Sequence, residues 1–103
     1  MEIGVTIFED NKIVRDALEA IFNGSPGFHC NAAYSDASQV EERIRGSHPD
    51  VVLMDIEMPG INGIEATRII HEKFPEVKVL IQTVYNDSTK IFQAICAGAS
   101  GYI

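Results

Sequence analysis

The fold is decided by residues 51–60, which read VVLMDIEMPG. The four apolar residues before Asp55 predict a strand buried on both faces, as in a parallel sheet. A charge inside such a strand is costly, so Asp55 is expected at its carboxyl end, where the sheet opens to solvent. The Met-Pro-Gly run then turns the chain. Open α/β folds bind ligands at this edge, although an aspartate that merely caps the turn fits the same stretch.

Length and composition indicate one globular domain. The 103 residues are 46% hydrophobic, enough for a core of ordinary size. The net charge of −7, without a Lys/Arg cluster, argues against nucleic acid or an anionic membrane as a direct ligand. The first residues lack the charged and long apolar regions typical of a signal peptide, and no apolar run approaches membrane-spanning length, so we expect a cytoplasmic location and no membrane partner. Cys30 and Cys96, among apolar neighbours, predict buried free thiols.

Predicted strands and helices alternate along the chain with short connections. The predicted strands cover residues 3–8, 28–34, 51–55, 77–82 and 101–103. A residue able to cap a helix follows each of the first four strands: Asn11 or Asp10, Ser35 or Asp36, Asn62, and Asn86 or Asp87. This alternation predicts a parallel sheet with helices on both faces.

Apolar spacing gives each predicted helix an inward face. In the first helix this face comprises Ile13, Val14, Ala17, Leu18, Ile21 and Phe22. In the second it comprises Ala37, Val40 and Ile44, with Gly46 ending the helix. In the third it comprises Ile64, Ala66, Ile69, Ile70 and Phe74. In the fourth it comprises Ile91, Phe92 and Ile95, with Gly98 as the end. We expect Gly60 and Gly63 to relieve backbone strain in the turn after Asp55.

Acidic and hydroxyl side chains stand where three predicted strands end. Glu9 and Asp10 follow the first strand, Asp55 ends the third and Thr83 follows the fourth. Carboxyl ends of parallel strands share one edge, so these groups are expected to converge there. Two carboxylates 4 Å apart repel by roughly 4 kcal/mol at an effective dielectric constant near 20. A cation between them offsets this cost, and carboxylate oxygens without His or Cys favour Mg²⁺, or Mn²⁺ in its place.

Such a site suits phosphoryl chemistry. A carboxylate such as Asp55, held beside a divalent cation, can attack phosphorus and form an aspartyl-phosphate. The hydroxyl of Thr83 suits a phosphoryl oxygen. Taken singly, Glu9 and Asp10 also fit ordinary acids at a helix start, and Thr83 fits an ordinary strand-end residue. Their joint placement favours the site.

These motifs together resemble the receiver domain of two-component response regulators. The similarity covers the whole chain: Glu9-Asp10, Asp55 before Met58-Pro59-Gly60 and Gly63, Thr83, and GASGYI at 98–103. The last motif is most similar to receivers of the NarL/LuxR type, which carry a C-terminal helix-turn-helix domain. The resemblance implies an α/β flavodoxin-like (CheY-like) doubly wound parallel sheet with strand order 2-1-3-4-5, here ending before the fifth helix.

The resemblance also implies the metal ligands and the reaction. A sensor histidine kinase would transfer a phosphoryl group to Asp55, while Asp10 and Asp55 bind Mg²⁺ directly. Glu9 would bind the ion through water, and Glu57 through its backbone carbonyl. Such a domain catalyses its own phosphorylation and slow dephosphorylation, and is not a turnover enzyme.

The resemblance further implies a switch. Thr83 would hydrogen-bond the phosphoryl group and move toward it, and Tyr102 would swing inward as the switch aromatic. The N–H groups of Ile56, Glu57 and Val84 would face the phosphoryl oxygens. The side chains of Glu57 and Tyr85 stand where such receivers tune the hydrolysis of the phosphoryl group.

The family's lysine and fifth helix would lie beyond residue 103. We therefore expect residues 1–103 to form an incomplete receiver domain, with a DNA-binding output domain beyond them. Without the lysine and the fifth helix, we expect this fragment to be phosphorylated poorly, to fold poorly, or to complete itself as a homodimer by exchanging elements with a second copy. The alternative within the family is a degenerate receiver, a protein-interaction module independent of phosphorylation. A flavin- or nucleotide-binding protein would need a phosphate loop where Glu9-Asp10-Asn11 stands. An aspartyl phosphohydrolase would usually have a second Asp where Glu57 stands.

Overall fold

The structure is a computed structural model that describes residues 2–58, 60–82 and 88–102. Within these ranges the elements alternate from strand to helix along the chain. Their bounds are β1 Ile3–Phe8, α1 Lys12–Gly24, β2 Phe28–Tyr34, α2 Val40–Ser47, β3 Val51–Asp55, α3 Gly63–Lys73, β4 Lys78–Gln82, α4 Ser88–Cys96 and β5 Gly101–Tyr102. The predicted strands are therefore found, and Ile103 lies outside the described residues.

The strands form one sheet in the order β2-β1-β3-β4-β5. Every adjacent pair is parallel, as the predicted doubly wound topology requires. The register pairs Phe8 of β1 with Met54 of β3, and Asp55 of β3 with Gln82 of β4. Asp55 is the last residue of β3, so it lies at the carboxyl edge, as predicted.

Helices cover both faces of the sheet, and the two cores differ in size. The larger core joins β-strand residues to α2, α3 and α4 through Val40, Ile70 and Ala94. The smaller core consists of three buried strand residues, with Leu18 and Phe22 of α1 packed against them. Both faces of β3 are therefore buried, which explains its unbroken apolar run.

Two of the predicted helix caps are confirmed and one helix start is wrong. The side chain of Asn11 accepts the Val14 N–H at 3.1 Å, and Asn62 caps α3 in the same way. The second helix begins at Val40 and not after Ser35 or Asp36. Its end is also one residue later than predicted, because α2 continues past Gly46 to Ser47.

A local turn explains the late start of α2. The Asp36 carboxylate accepts the N–H of Ser38 at 2.9 Å and its hydroxyl at 2.6 Å. Such bonds offer the backbone an alternative to the helix, so the first turn is delayed. The predicted inward face of α2 is nevertheless confirmed, since Ala37, Val40 and Ile44 are buried.

The predicted burial is wrong for parts of α1 and α4. Ile13 and Ile21 are 81% and 57% exposed, and no residue of α1, which lies wholly in the described part, is buried. On α4, Phe92 is 67% exposed and Ile95 47% exposed, because the small residues Ala94 and Ala97 take the inward positions. The predicted caps Asn86 and Asp87 lie outside the described residues.

The structure also tests the predicted burial of the two thiols and the predicted role of the two glycines after Asp55. Cys30 and Cys96 are free, but Cys96 is exposed and Cys30 only half-buried. Gly60 has a φ of +79°, as expected of a strained turn. Gly63 instead allows its backbone to pack closely against the end of β3, since a Cβ at this position would overlap the carbonyl oxygen of Asp55. None of the helices in the described part of the chain has the length and apolar character needed to cross a bilayer.

Candidate metal centre

Three carboxylates meet at the carboxyl edge of the sheet. Glu9 and Asp10 directly follow β1, and Asp55 ends the adjacent strand β3. One oxygen from each carboxylate lies within 4.8 Å of the other two. The structure therefore brings together the three acids that strand-end reasoning singled out. Their roles as ligands stay predictions.

The three acids share one cleft but differ in exposure. Glu9 is only 5% exposed, Asp55 is half-buried and Asp10 is exposed. The cleft has a volume of about 300 Å³. Its lining comprises Glu9, Asp10, Asn11, Val14, Asp55, Glu57 and Gln82. A small ion held among the acids would therefore remain reachable from solvent through Asp10.

The crowding of these acids changes the chemistry of Asp55. Partial burial, together with the hydrogen bonds and charges of Glu9 and then of Asp10, raises the pKa of Asp55 from 3.8 to about 8. Burial raises the pKa because it takes the charged carboxylate out of water, and the neighbouring acids raise it further because a third negative charge is disfavoured beside two others. Near neutral pH the cluster is thus stabilised either by a proton or by a cation.

A divalent cation fits this donor set. Three carboxylate oxygens within reach of one another, with no His or Cys among them, match the preference of Mg²⁺ and Mn²⁺ for hard oxygen ligands. The same cation would relieve the repulsion that raises the pKa of Asp55.

Backbone groups hold Glu9 in place. Its carboxylate accepts the Asn11 N–H at 3.1 Å, and its own N–H donates to the Tyr34 carbonyl at 2.9 Å. Its carbonyl accepts Nη1 of Arg15 at 2.9 Å. Arg15 was missed by sequence reasoning. The available signal was its place one turn into α1, from which a long side chain points back toward the helix start.

Glu57 connects the cleft to α4. Its N–H donates to Oδ1 of Asp55 at 3.3 Å. That this N–H faces a phosphoryl oxygen stays a prediction. Its carboxylate forms an ion pair with the ammonium group of Lys90 on α4. This contact, which joins residues 33 positions apart, was not predicted. The role of the Glu57 carbonyl as a metal ligand stays a prediction.

The predicted switch residues Thr83 and Tyr102 lie wholly or partly outside the described residues. Thr83, Val84 and Tyr85 fall between the described ranges, and only the backbone of Tyr102 is described. That backbone pairs with Ile81 in the parallel ladder between β4 and β5. The predicted roles of Thr83 and Tyr102 are therefore retained as predictions.

Comparison with known proteins decides the family. Residues 5–103 match the response regulator receiver domain family. The chain belongs to this family. Membership agrees with the strand order and the acid cluster of this receiver domain, and it sets aside the flavin-binding and phosphohydrolase alternatives.

The receiver domain is similar to parts of longer regulators. It is 35% identical over 102 residues to the transcriptional regulatory protein DegU of Brevibacillus brevis, covering 99% of this chain and 43% of that protein. It is 38% identical over 101 residues to the transcriptional regulatory protein LnrK of Bacillus subtilis, covering 98% and 46%. The chain thus spans less than half the length of these curated relatives.

A solved structure supports the same subfamily. The receiver domain superposes on a two-component response regulator of the LuxR family from Aurantimonas sp. SI85-9A1 with a TM-score of 0.91 and 34% identity, over 99% of this chain and 73% of that one. The chain is accordingly a receiver domain of the LuxR/NarL type, and its CheY-like fold agrees with the predicted fold class.

Proposed function

We propose that Asp55 is the phosphoacceptor of this receiver domain and takes its phosphoryl group from the phosphohistidine of a sensor histidine kinase. The observation that carries this proposal is the convergence of Glu9, Asp10 and Asp55 in one cleft. Of the three, only Asp55 both ends the central strand and accepts a backbone N–H from the following turn. Its position therefore suits a nucleophile, while the other two suit ligands.

In this proposal Asp10 and Asp55 bind Mg²⁺ or Mn²⁺ directly, Glu9 binds it through water, and Glu57 through its backbone carbonyl. When bound, the ion offsets the negative charge of the acids and of the phosphoryl group. The Asn11 N–H keeps the buried carboxylate of Glu9 in its place.

The chemical step uses the ionised carboxylate of Asp55. One of its oxygens forms a bond to phosphorus as the bond from phosphorus to the histidine nitrogen breaks, and the electron pair remains on the imidazole. The Glu57 N–H holds Oδ1 of Asp55 and limits rotation of the carboxylate. The same domain would hydrolyse its aspartyl-phosphate slowly.

Thr83 and Tyr102 would transmit the state of Asp55. Thr83 would donate a hydrogen bond to the phosphoryl group, and Tyr102 would swing inward once Thr83 has moved. An output domain that binds DNA would respond, directly or through a homodimer. This part of the proposal is supported by the names of the relatives, which are transcriptional regulatory proteins. We propose a cytoplasmic location on the same basis.

The degenerate receiver is the weaker alternative. In a protein-interaction module independent of phosphorylation, three mutually repelling carboxylates in one cleft would serve no function. Substitution of one of them would remove the repulsion, so such a cluster would not be expected to persist. No feature of the described residues favours that alternative over the phosphoacceptor.

The test uses the full-length protein, a small phosphodonor such as acetyl phosphate, and Mg²⁺. Intact mass spectrometry should show one phosphoryl adduct, which is lost with a chelator and in Asp55→Ala. Asp50→Ala is the matched control, because Asp50 precedes the same strand at the opposite edge and should leave the adduct intact. An adduct that persists in Asp55→Ala would refute the assignment.

A further inference from the structure

One arginine holds the segment that carries two of the three acids. Arg15 lies in the first turns of α1, and its half-buried side chain turns back toward the start of the helix. Its Nη1 donates to the carbonyl oxygen of Glu9 at 2.9 Å and lies 3.5 Å from the carbonyl oxygen of Asp10. Its backbone N–H donates to the carbonyl oxygen of Asn11 at 2.8 Å. Arg15 thus contacts three consecutive carbonyl groups.

These carbonyl groups belong to the connection between β1 and α1. Glu9 follows the last residue of β1, and α1 begins at Lys12. The N–H of Glu9 bonds to the Tyr34 carbonyl of β2, but among the described residues no backbone N–H bonds to the carbonyl oxygens of Glu9 and Asp10. The orientation of these peptide groups sets the directions of the Cα–Cβ bonds of Glu9 and Asp10, so fixing it restrains the two carboxylates that these bonds carry.

We propose that Arg15 is a positioning residue for the cation site, which orients the carboxylates of Glu9 and Asp10 through the backbone without touching the ion. The inference rests on the proposed function, since it concerns the ligands assigned there. Outer groups that orient metal ligands commonly change metal affinity by about 10- to 100-fold when they are removed.

The planar guanidinium group is suited to this role. Nη1 carries two N–H groups in the fixed plane of the guanidinium and lies near both carbonyl oxygens, whereas a lysine ammonium is a compact charge on a flexible stem. Arg15→Lys should therefore keep the positive charge and lose most of the orientation. If charge alone mattered, that variant would behave as the wild type.

The chain offers a matched control in the neighbouring loop. Arg43 of α2 donates to the Asp36 carbonyl at 3.0 Å, in the connection between β2 and α2. Its guanidinium also stacks on the Tyr34 ring at 4.4 Å. The bond is of the same kind, but no residue of that connection belongs to the acid cluster. Arg43→Ala should cost stability without changing the cation site.

The experiment measures Mn²⁺ affinity of the full chain by electron paramagnetic resonance of the free ion, with circular dichroism to check folding. Arg15→Ala should bind Mn²⁺ about tenfold more weakly, Arg15→Lys nearly as weakly, and Arg43→Ala within about twofold of the wild type. In the metal-free protein, amide exchange at Asp10 and Asn11 should be faster in Arg15→Ala and unchanged in Arg43→Ala.

The outcomes separate this inference from the proposed function. Wild-type affinity in a folded Arg15→Ala protein, or an equal loss in Arg43→Ala, would overturn the role of Arg15 alone. Wild-type affinity in Arg15→Lys would overturn the orientation argument in favour of charge. No Mn²⁺ binding by the wild type would overturn the proposed function and this inference with it.

Discussion

Two aspartates at opposite ends of the same region of chain have opposite environments. Asp50, just before β3 at the amino edge, accepts the N–H of Gly4 at 2.8 Å. Its own N–H and carbonyl bond to Gly4 and Lys78 at 2.8 and 3.1 Å. Asp55, at the carboxyl edge, faces Glu9 and Asp10, which help raise its pKa to about 8. Asp50 therefore stabilises the fold, whereas Asp55 is placed beside two carboxylates that repel its negative charge.

The difference shows how a carboxylate that binds a ligand can be distinguished from one that stabilises the fold. The carboxylate of Asp50 accepts the N–H of Gly4 and does not belong to the acid cluster. Asp55 also accepts one N–H, from Glu57, but it faces two other carboxylates. A carboxylate that serves a ligand is kept where the protein alone leaves its charge poorly compensated. The comparison of the two edges therefore predicts which substitutions cost stability and which cost binding.

The largest effect is expected for a glycine of the carboxyl edge. In Gly63→Ala the new methyl group meets the backbone of Asp55 and Ile56, which cannot move without shifting the cleft. We expect a loss of about 3 kcal/mol in the free energy of unfolding, measured by urea denaturation. In Gly4→Ala at the amino edge the three atoms nearest to the methyl group all belong to the end of the Asn31 side chain, which can turn away, so the loss should be about 1 kcal/mol. Equal losses would contradict this difference.

The next effect concerns metal affinity. Asp10→Ala removes a proposed direct ligand, so Mn²⁺ affinity should fall at least about 100-fold, the upper end for loss of an outer group. Asp50→Ala should leave the affinity unchanged, because its carboxylate faces the opposite edge. Calorimetric titration of both variants checks this. A similar loss in the two would mean that the acids act only through net charge.

For the free energy of unfolding without metal, we expect substitution of Asp50 to have a larger effect than substitution of Asp10, the reverse of the order for metal affinity. Asp50→Ala leaves the buried N–H of Gly4 without its partner and should lower the free energy of unfolding by about 2 kcal/mol. Asp10→Asn removes a charge that repels Asp55 and should not lower it. Urea denaturation in a chelating buffer at pH 8 compares them. Greater destabilisation by Asp10→Asn would contradict the account.

The smallest effect is the pH dependence of stability. The folded protein holds the proton of Asp55 more tightly than the unfolded chain, whose pKa is near 3.8, so unfolding releases a proton between about pH 4 and 8. Without metal, the free energy of unfolding should therefore fall as pH rises through this range. Asp55→Asn has no such proton to release. Its free energy of unfolding relative to that of the wild type should therefore rise by about 1 kcal/mol from pH 5 to pH 8, after allowance for solvent screening. Parallel pH profiles would contradict the prediction.

Strand patterns predicted most of what positions the site. The apolar run before Asp55 predicted a strand buried on both faces, and the acids at strand ends predicted a shared edge. These predictions succeed because a parallel sheet leaves little choice about where a strand-end charge can lie. The strand order came from the resemblance to the receiver family, and the sheet confirms it.

Predictions failed where side-chain contacts outweigh periodicity. The bonds of Asp36 to Ser38 delay α2, and no helical period reveals them. On α4 the apolar residues lie on more than one face, so spacing could not tell that Ala94 is buried and Phe92 exposed. Arg15 and Lys90 escaped notice because an arginine or lysine on a helix is usually a solvated residue. Their contacts depend on the tertiary arrangement of loop and helix.

The most direct test of the shared site is anomalous diffraction from crystals of the receiver domain soaked in Mn²⁺. We predict a strong anomalous peak in the cleft, within coordination distance of Asp10 and Asp55 and near Glu9. We predict no such peak at Asp50, which serves as an internal control in the same map. A cleft without a peak at saturating Mn²⁺, or an ion bound at one acid alone with the others turned away, would show that the three acids do not share one cation site.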